Sequence, residues 1–133
     1  MPGNNGMSLR KQTTATCDDV VARLPDALKA QGFGVLTEID MQATLKAKIG
    51  ADIRRYKIFG ACNPPFAHQA LGLDLDVGLM MPCNVVVYED DAKHAVVLAV
   101  DPTGTVGASG GHPGLAELAA GIKAKLSAVL ASL

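Results

Sequence analysis

Apolar positions along the chain fall into helical stripes and strand-length runs. The clearest stripe is C-terminal. Leu115, Leu118, Ala119, Ile122, Leu126, Val129, Leu130 and Leu133 recur at intervals of three, four and seven, with Glu117, Lys123 and Lys125 off the stripe. That spacing predicts an amphipathic helix packed on a sheet. A second stripe, Val20, Val21, Leu24, Ala27 and Leu28, follows Asp18 and Asp19, whose carboxylates suit the start of a helix. Pro25 is expected to kink or split this helix, and Gly32 to end it. Strand-like runs follow at Phe33 to Asp40, Tyr56 to Ala61, Leu79 to Tyr88 around Val85-Val86-Val87, and Ala95 to Val100. The last two flank the polar turn Glu89-Asp90-Asp91-Ala92 and read as an antiparallel hairpin. Residues 41–50 predict a short helix closed by Gly50. Asn63-Pro64-Pro65 starts another over about 64–71, with a capping side chain followed by proline where no backbone donor is needed. Residues 8–16 supply a short first strand.

The resulting order, β, α, β, short α, β, α, β, β, α, predicts one two-layer α+β (α/β) domain over residues 8–133. Its expected core is a mixed sheet of about five strands with helices on one face. Residues 1–7, Met-Pro-Gly-Asn-Asn-Gly-Met, are expected to be a disordered start.

Composition narrows the function more than it defines it. The chain has 133 residues, 12 basic and 13 acidic, and a net charge of −1. It has five Phe and Tyr residues together and no Trp. Without a basic excess or a run of aromatics, nucleic acid is not the expected partner. The three cysteines are an odd number, so a reduced, cytoplasmic protein is expected rather than a disulfide framework. No leader-like or membrane-length apolar segment is apparent, so no membrane partner is expected.

Two blocks are distinctive. The first is Tyr56-Lys57-Ile58-Phe59-Gly60-Ala61-Cys62-Asn63-Pro64, and the second is Leu79-Met80-Met81-Pro82-Cys83-Asn84-Val85. With Gly32 to Asp40 and Ala67 to Leu71 they resemble the family called domain of unknown function 302, over about residues 18–133. The resemblance implies a small bacterial α/β protein, often a homodimer. It brings no settled activity, substrate or cofactor, and it marks Cys62, Asn63, Pro64, Pro82 and Cys83 as characteristic positions only.

Candidate chemistry centres on sulfur. Cys62 precedes a helix start, where partial positive charge favours a thiolate. Cys83 enters the Val-rich strand. If their strands are neighbours, the two sulfurs could converge and, with His68 and next to Asn63, bind a soft metal or carry a transient disulfide. The competing reading is that both cysteines pack as small hydrophobes and that His68 is a surface residue. His112 is placed to cap the last helix as a neutral ring. The loop before that helix, with Ser109, Gly110 and Gly111, offers a candidate anion site at free helix amides, or simply a mobile cap. No nucleophile with its base can be nominated, so catalysis is not the expectation and no cofactor is indicated. Three roles remain: a non-catalytic small-molecule or protein-binding module near Cys62 and Cys83, a thiol- or soft-metal-handling protein, and an interaction domain.

Overall fold

The computed structural model describes residues 8–108 and 111–133. The expectation of a disordered start over residues 1–7 lies outside these, as do Ser109 and Gly110. The elements are β1 (Ser8–Gln12), α1 (Cys17–Ala30), β2 (Gly34–Asp40), α2 (Met41–Ile49), β3 (Tyr56–Cys62), α3 (Pro64–Leu73), β4 (Cys83–Glu89), β5 (Ala95–Val100) and α4 (Gly114–Ala131). Short 3₁₀ segments occupy Leu75–Met80 and Pro102–Gly104.

The fold is α+β, with five strands in the order β1-β5-β4-β3-β2. Every pairing is antiparallel, where a mixed sheet was expected. The reason lies in the connections. α2 joins β2 to β3 within a pair of adjacent antiparallel strands, and so do α3 and the 3₁₀ segment between β3 and β4. A parallel neighbour would need a crossover instead.

Local signals set most element ends. Thr16 caps α1 by accepting from the Asp19 amide at 3.2 Å, which leaves Asp18 and Asp19 in the first turn. There they favour the positive end of the helix dipole. Pro25 neither splits nor ends α1, which runs unbroken from Cys17 to Ala30. Its ring lies exposed, and the amide it lacks removes only the single helix bond to the Val21 carbonyl. Gly32 takes φ +83°. Its amide and that of Phe33 donate back to Lys29 and Leu28 and close the helix. β4 starts at Cys83 instead of Leu79, because Asp74 accepts from the Asp76 amide and winds the preceding residues into a 3₁₀ segment.

The core lies between one sheet face and α1 and α4. Phe59, Val85, Val87, Val97 and Ala99 meet Val20, Leu24 and Leu28 of α1 and Leu115, Ile122, Leu126 and Val129 of α4. Each fully buried branched side chain here contributes about 1.5–3 kcal/mol relative to exposure. Because side chains alternate along a strand, the register puts Ile39, Ile58, Val86 and Leu98 in one row across four strands on the opposite face. None of these four belongs to the core cluster. The Tyr56 and Tyr88 rings stack on that face, centroids 5.9 Å apart.

Candidate functional site

The end of β3, the start of α3 and the approach to β4 frame a partly open cavity of about 240 Å³. Ala61, Cys62 and Asn63 supply one side, and Phe66 and Ala67 of α3 supply another. Met81, Pro82 and Cys83 close the third, and Leu36 stands at the rim. Leu36 sits where the β2–β3 register slips between Val35 and Thr37, and this bulge leaves it 65% exposed.

The structure brings Cys62, Cys83 and Asn63 to this one place. β3 and β4 are neighbours, and Cys83 pairs with Ala61. Cys62 is therefore one residue beyond that pair, on the other side of the pleat. All three cysteines are free thiols. Burial, followed by the nearby Cys62, pushes the Cys83 thiol up to about 11, so it is protonated at neutral pH. Among the described residues, no three His, Cys, Asp or Glu side chains come together as a metal site.

Asn63 is a buried cap. Its Oδ1 accepts from the Phe66 amide at 3.1 Å, and its Nδ2 reaches the Gln31 carbonyl at 3.5 Å. It ties the start of α3 to the end of α1.

His68 stands apart from the sulfurs. It is exposed on α3 and lines a separate groove with Gln69, Glu117 and Leu118. This fits the reading of His68 as a surface residue and not its grouping with the sulfurs, because α3 carries it toward α4.

Of the candidate anion loop, Gly111 is described. A Cβ there would lie 2.2 Å from Asp74 Oδ2, so a carboxylate already stands beside this backbone. At the start of α4, the Gly114 amide donates to His112 Nδ1 at 2.9 Å and the Leu115 amide to the His112 carbonyl at 3.0 Å. The His112 cap read from the sequence is thus present, and it occupies amides that an anion would need.

Sequence reasoning missed Leu36, Phe66, Ala67 and Met81 as cavity residues. Phe66 and Ala67 follow the Asn63 cap directly, so the cap itself was the usable signal. Nothing local marks Leu36.

A family model described as domain of unknown function DUF302 matches residues 9–133. The chain belongs to this family. It is similar to the crystal structure of an uncharacterized conserved DUF302 protein from Bacillus stearothermophilus, with 32% identity and a TM-score of 0.86. That match covers 94% of this chain and 96% of the other. No curated protein matches. Among the described residues, no helix of this DUF302 protein is long and apolar enough to cross a membrane.

Proposed function

We propose that this DUF302 chain is a non-catalytic binding module whose site is the cavity between β3, α3 and the start of β4. The observation that carries this reading is the cavity itself, about 240 Å³ of space walled by three separate elements. A concave, mostly apolar site with few polar groups is the usual form of a small-molecule site. Thiol chemistry is the weaker reading, because the Cys83 thiol is held protonated and the thiolate is the reactive form.

A thermal-shift screen of charged, neutral, aromatic and aliphatic small molecules tests this on the wild type and on Ala67→Phe, which fills the cavity from α3. At least one compound is expected to raise the Tm of the wild type and leave the variant unmoved. Equal shifts in both proteins for every binder, or no binder at all, would overturn the reading.

We also propose that the protein partner is a second copy of the chain, seated on the sheet face away from α1 and α4. The row Ile39, Ile58, Val86 and Leu98 supports this, because an apolar face across four strands gains by being covered.

A further inference from the structure

The cavity lies against a helix start, and helix starts ordinarily attract anions through amides that have no partner inside the helix. This one has none to offer. Pro64 and Pro65 hold the first two positions of α3, and proline has no N–H. The Phe66 amide donates to Asn63 Oδ1 at 3.1 Å, and the Ala67 amide donates to the Asn63 carbonyl at 2.9 Å.

The rest of the wall agrees. No lining residue is charged. The Asn63 amide group is engaged through both of its polar atoms. The Cys83 thiol keeps its proton at neutral pH because of its burial. An anion or a strongly polar molecule would lose its water here and find little in return.

Size narrows the class further. An apolar protein cavity of about 150 Å³ holds benzene, and sites for drug-sized ligands begin near roughly 300 Å³. At about 240 Å³ this cavity falls between them. Met81 at its wall is a flexible thioether that adapts to ligand shape.

We propose that the cavity selects neutral, apolar molecules of about the size of one substituted ring and excludes their anionic counterparts. This inference rests on reading the cavity as the binding site. It goes beyond that reading by assigning the ligand class and the reason for it, the prolines and the Asn63 cap that leave no backbone amide free at the helix start.

The test uses toluene and benzoate, alike in ring and opposite in charge, titrated into the full chain and followed by amide chemical shifts. Toluene is expected to saturate one site at least about tenfold more tightly than benzoate, with the largest shifts at Cys62, Phe66, Ala67 and Cys83. Ala67→Phe should abolish this binding. Leu36→Asp, an exposed rim change that leaves the core untouched, should weaken toluene several-fold and serves if Ala67→Phe does not fold.

Benzoate binding as tightly as toluene, with both lost in Ala67→Phe, would overturn the charge selection and leave the cavity as the site. Toluene binding that neither variant alters would overturn the location. Absence of toluene binding, with a larger or charged compound from the screen still blocked by Ala67→Phe, would overturn the ligand class alone. Absence of any blocked compound would overturn the underlying reading as well.

Discussion

Cys83 lies directly across from Ala61 in the β3–β4 ladder, and this places the Cys62 side chain on the opposite side of the pleat from Cys83. The two thiols share a cavity wall without sharing a sheet face. Their chemistry should therefore differ. Cys83 is 5% exposed and protonated at neutral pH, whereas Cys62 is half-buried. Under native conditions at pH 7, iodoacetamide should label Cys62 well before Cys83, and Cys83 only after denaturation. Peptide mapping by mass spectrometry reads both sites. Comparable native labelling rates would contradict the burial assigned to Cys83.

The same raised pKa makes a statement about alkaline stability. Folded Cys83 holds its proton up to about pH 11, while the unfolded thiol loses it near the ordinary value of 9.0. Above pH 9 the unfolded chain therefore binds fewer protons, and stability falls as pH rises toward 11. The loss is at most about 2–3 kcal/mol by the linkage relation. Cys83→Ala should be less stable at pH 7 but show a flatter decline between pH 9 and 11. Denaturant midpoints across that range check it, and parallel declines in the two proteins would remove Cys83 as the cause.

These predictions depend on tertiary facts, and the sequence discloses such facts unevenly. α4, the β4–β5 hairpin and the Asn63 and His112 caps were legible because each is encoded within a few residues. The strand count was legible for the same reason. The antiparallel pairing of β3 with β4 was not, since the α3 segment between them resembles a crossover in one dimension. The 3₁₀ segment Leu75–Met80 was hidden because Leu79, Met80 and Met81 read as the start of a strand. The cavity was only half visible. Cys62, Asn63 and Cys83 were nominated, and the Asn63 cap points on to Phe66, but Leu36 reaches it through a bulge that no local pattern states. His68 was grouped with the sulfurs by proximity in sequence, and α3 carries it away.

Gly60 is a packing requirement beside this cavity. A Cβ at that position would stand 2.3 Å from Thr37 Oγ1 and 2.8 Å from Pro82 Cγ. Gly60→Ala should therefore destabilise the protein by about 1–3 kcal/mol, the usual cost of overpacking. Thr37→Ala should recover only part of the loss, because the Pro82 contact remains. Urea unfolding of the single and double variants measures this. A neutral Gly60→Ala would mean that β2 and the Pro82 turn yield freely.

Asp101 fastens the end of β5 to α4. Its Oδ1 accepts from the Thr103 amide at 2.9 Å and from the Thr103 hydroxyl at 2.6 Å. Its Oδ2 lies 3.0 Å from Lys123 Nζ. Burial alone would raise its pKa, but the bonds from Thr103 and Lys123 outweigh this and hold the carboxyl below the ordinary range. A lowered folded pKa stabilises above the unfolded value, and the gain is lost as pH falls through the folded one. Asp101→Ala should cost about 1–3 kcal/mol at pH 7, and Lys123→Met less, since Lys123 is partly solvated. The deficit of Asp101→Ala should begin to shrink as pH falls below the ordinary carboxylate value of 3.8, where the unfolded chain's carboxyl takes up its proton before the folded one does. Thermal melts at pH 7 and pH 3 distinguish this from a deficit that does not depend on pH.

The outer sheet face offers the sharpest test of a paired chain. Ile39 stands at its free edge, 43% exposed, in register with Ile58 and through it with Val86 and Leu98. The two sheet edges differ. β1 carries Arg10 and Lys11, the kind of charge that discourages edge association. β2 has no basic residue, and it exposes Val35, Leu36 and Ile39. A second copy laid on the Ile39–Leu98 row, with its two-fold axis near Ile58, would cover both copies of the stripe at once, as a symmetric interface requires. Ile39→Lys and Val86→Lys should then shift the chain from dimer to monomer in sedimentation velocity. Ile39→Lys should do so while the monomer stays folded, because the exposed edge position tolerates the charge, and its melting temperature should lose the dependence on protein concentration that the dimer shows. Leu79→Lys, at an exposed leucine on the 3₁₀ segment away from the row, should leave the dimer intact. A wild type that sediments as a monomer would overturn the pairing, and an Ile39→Lys variant that still dimerises fully while Leu79→Lys does not would move the interface off this face.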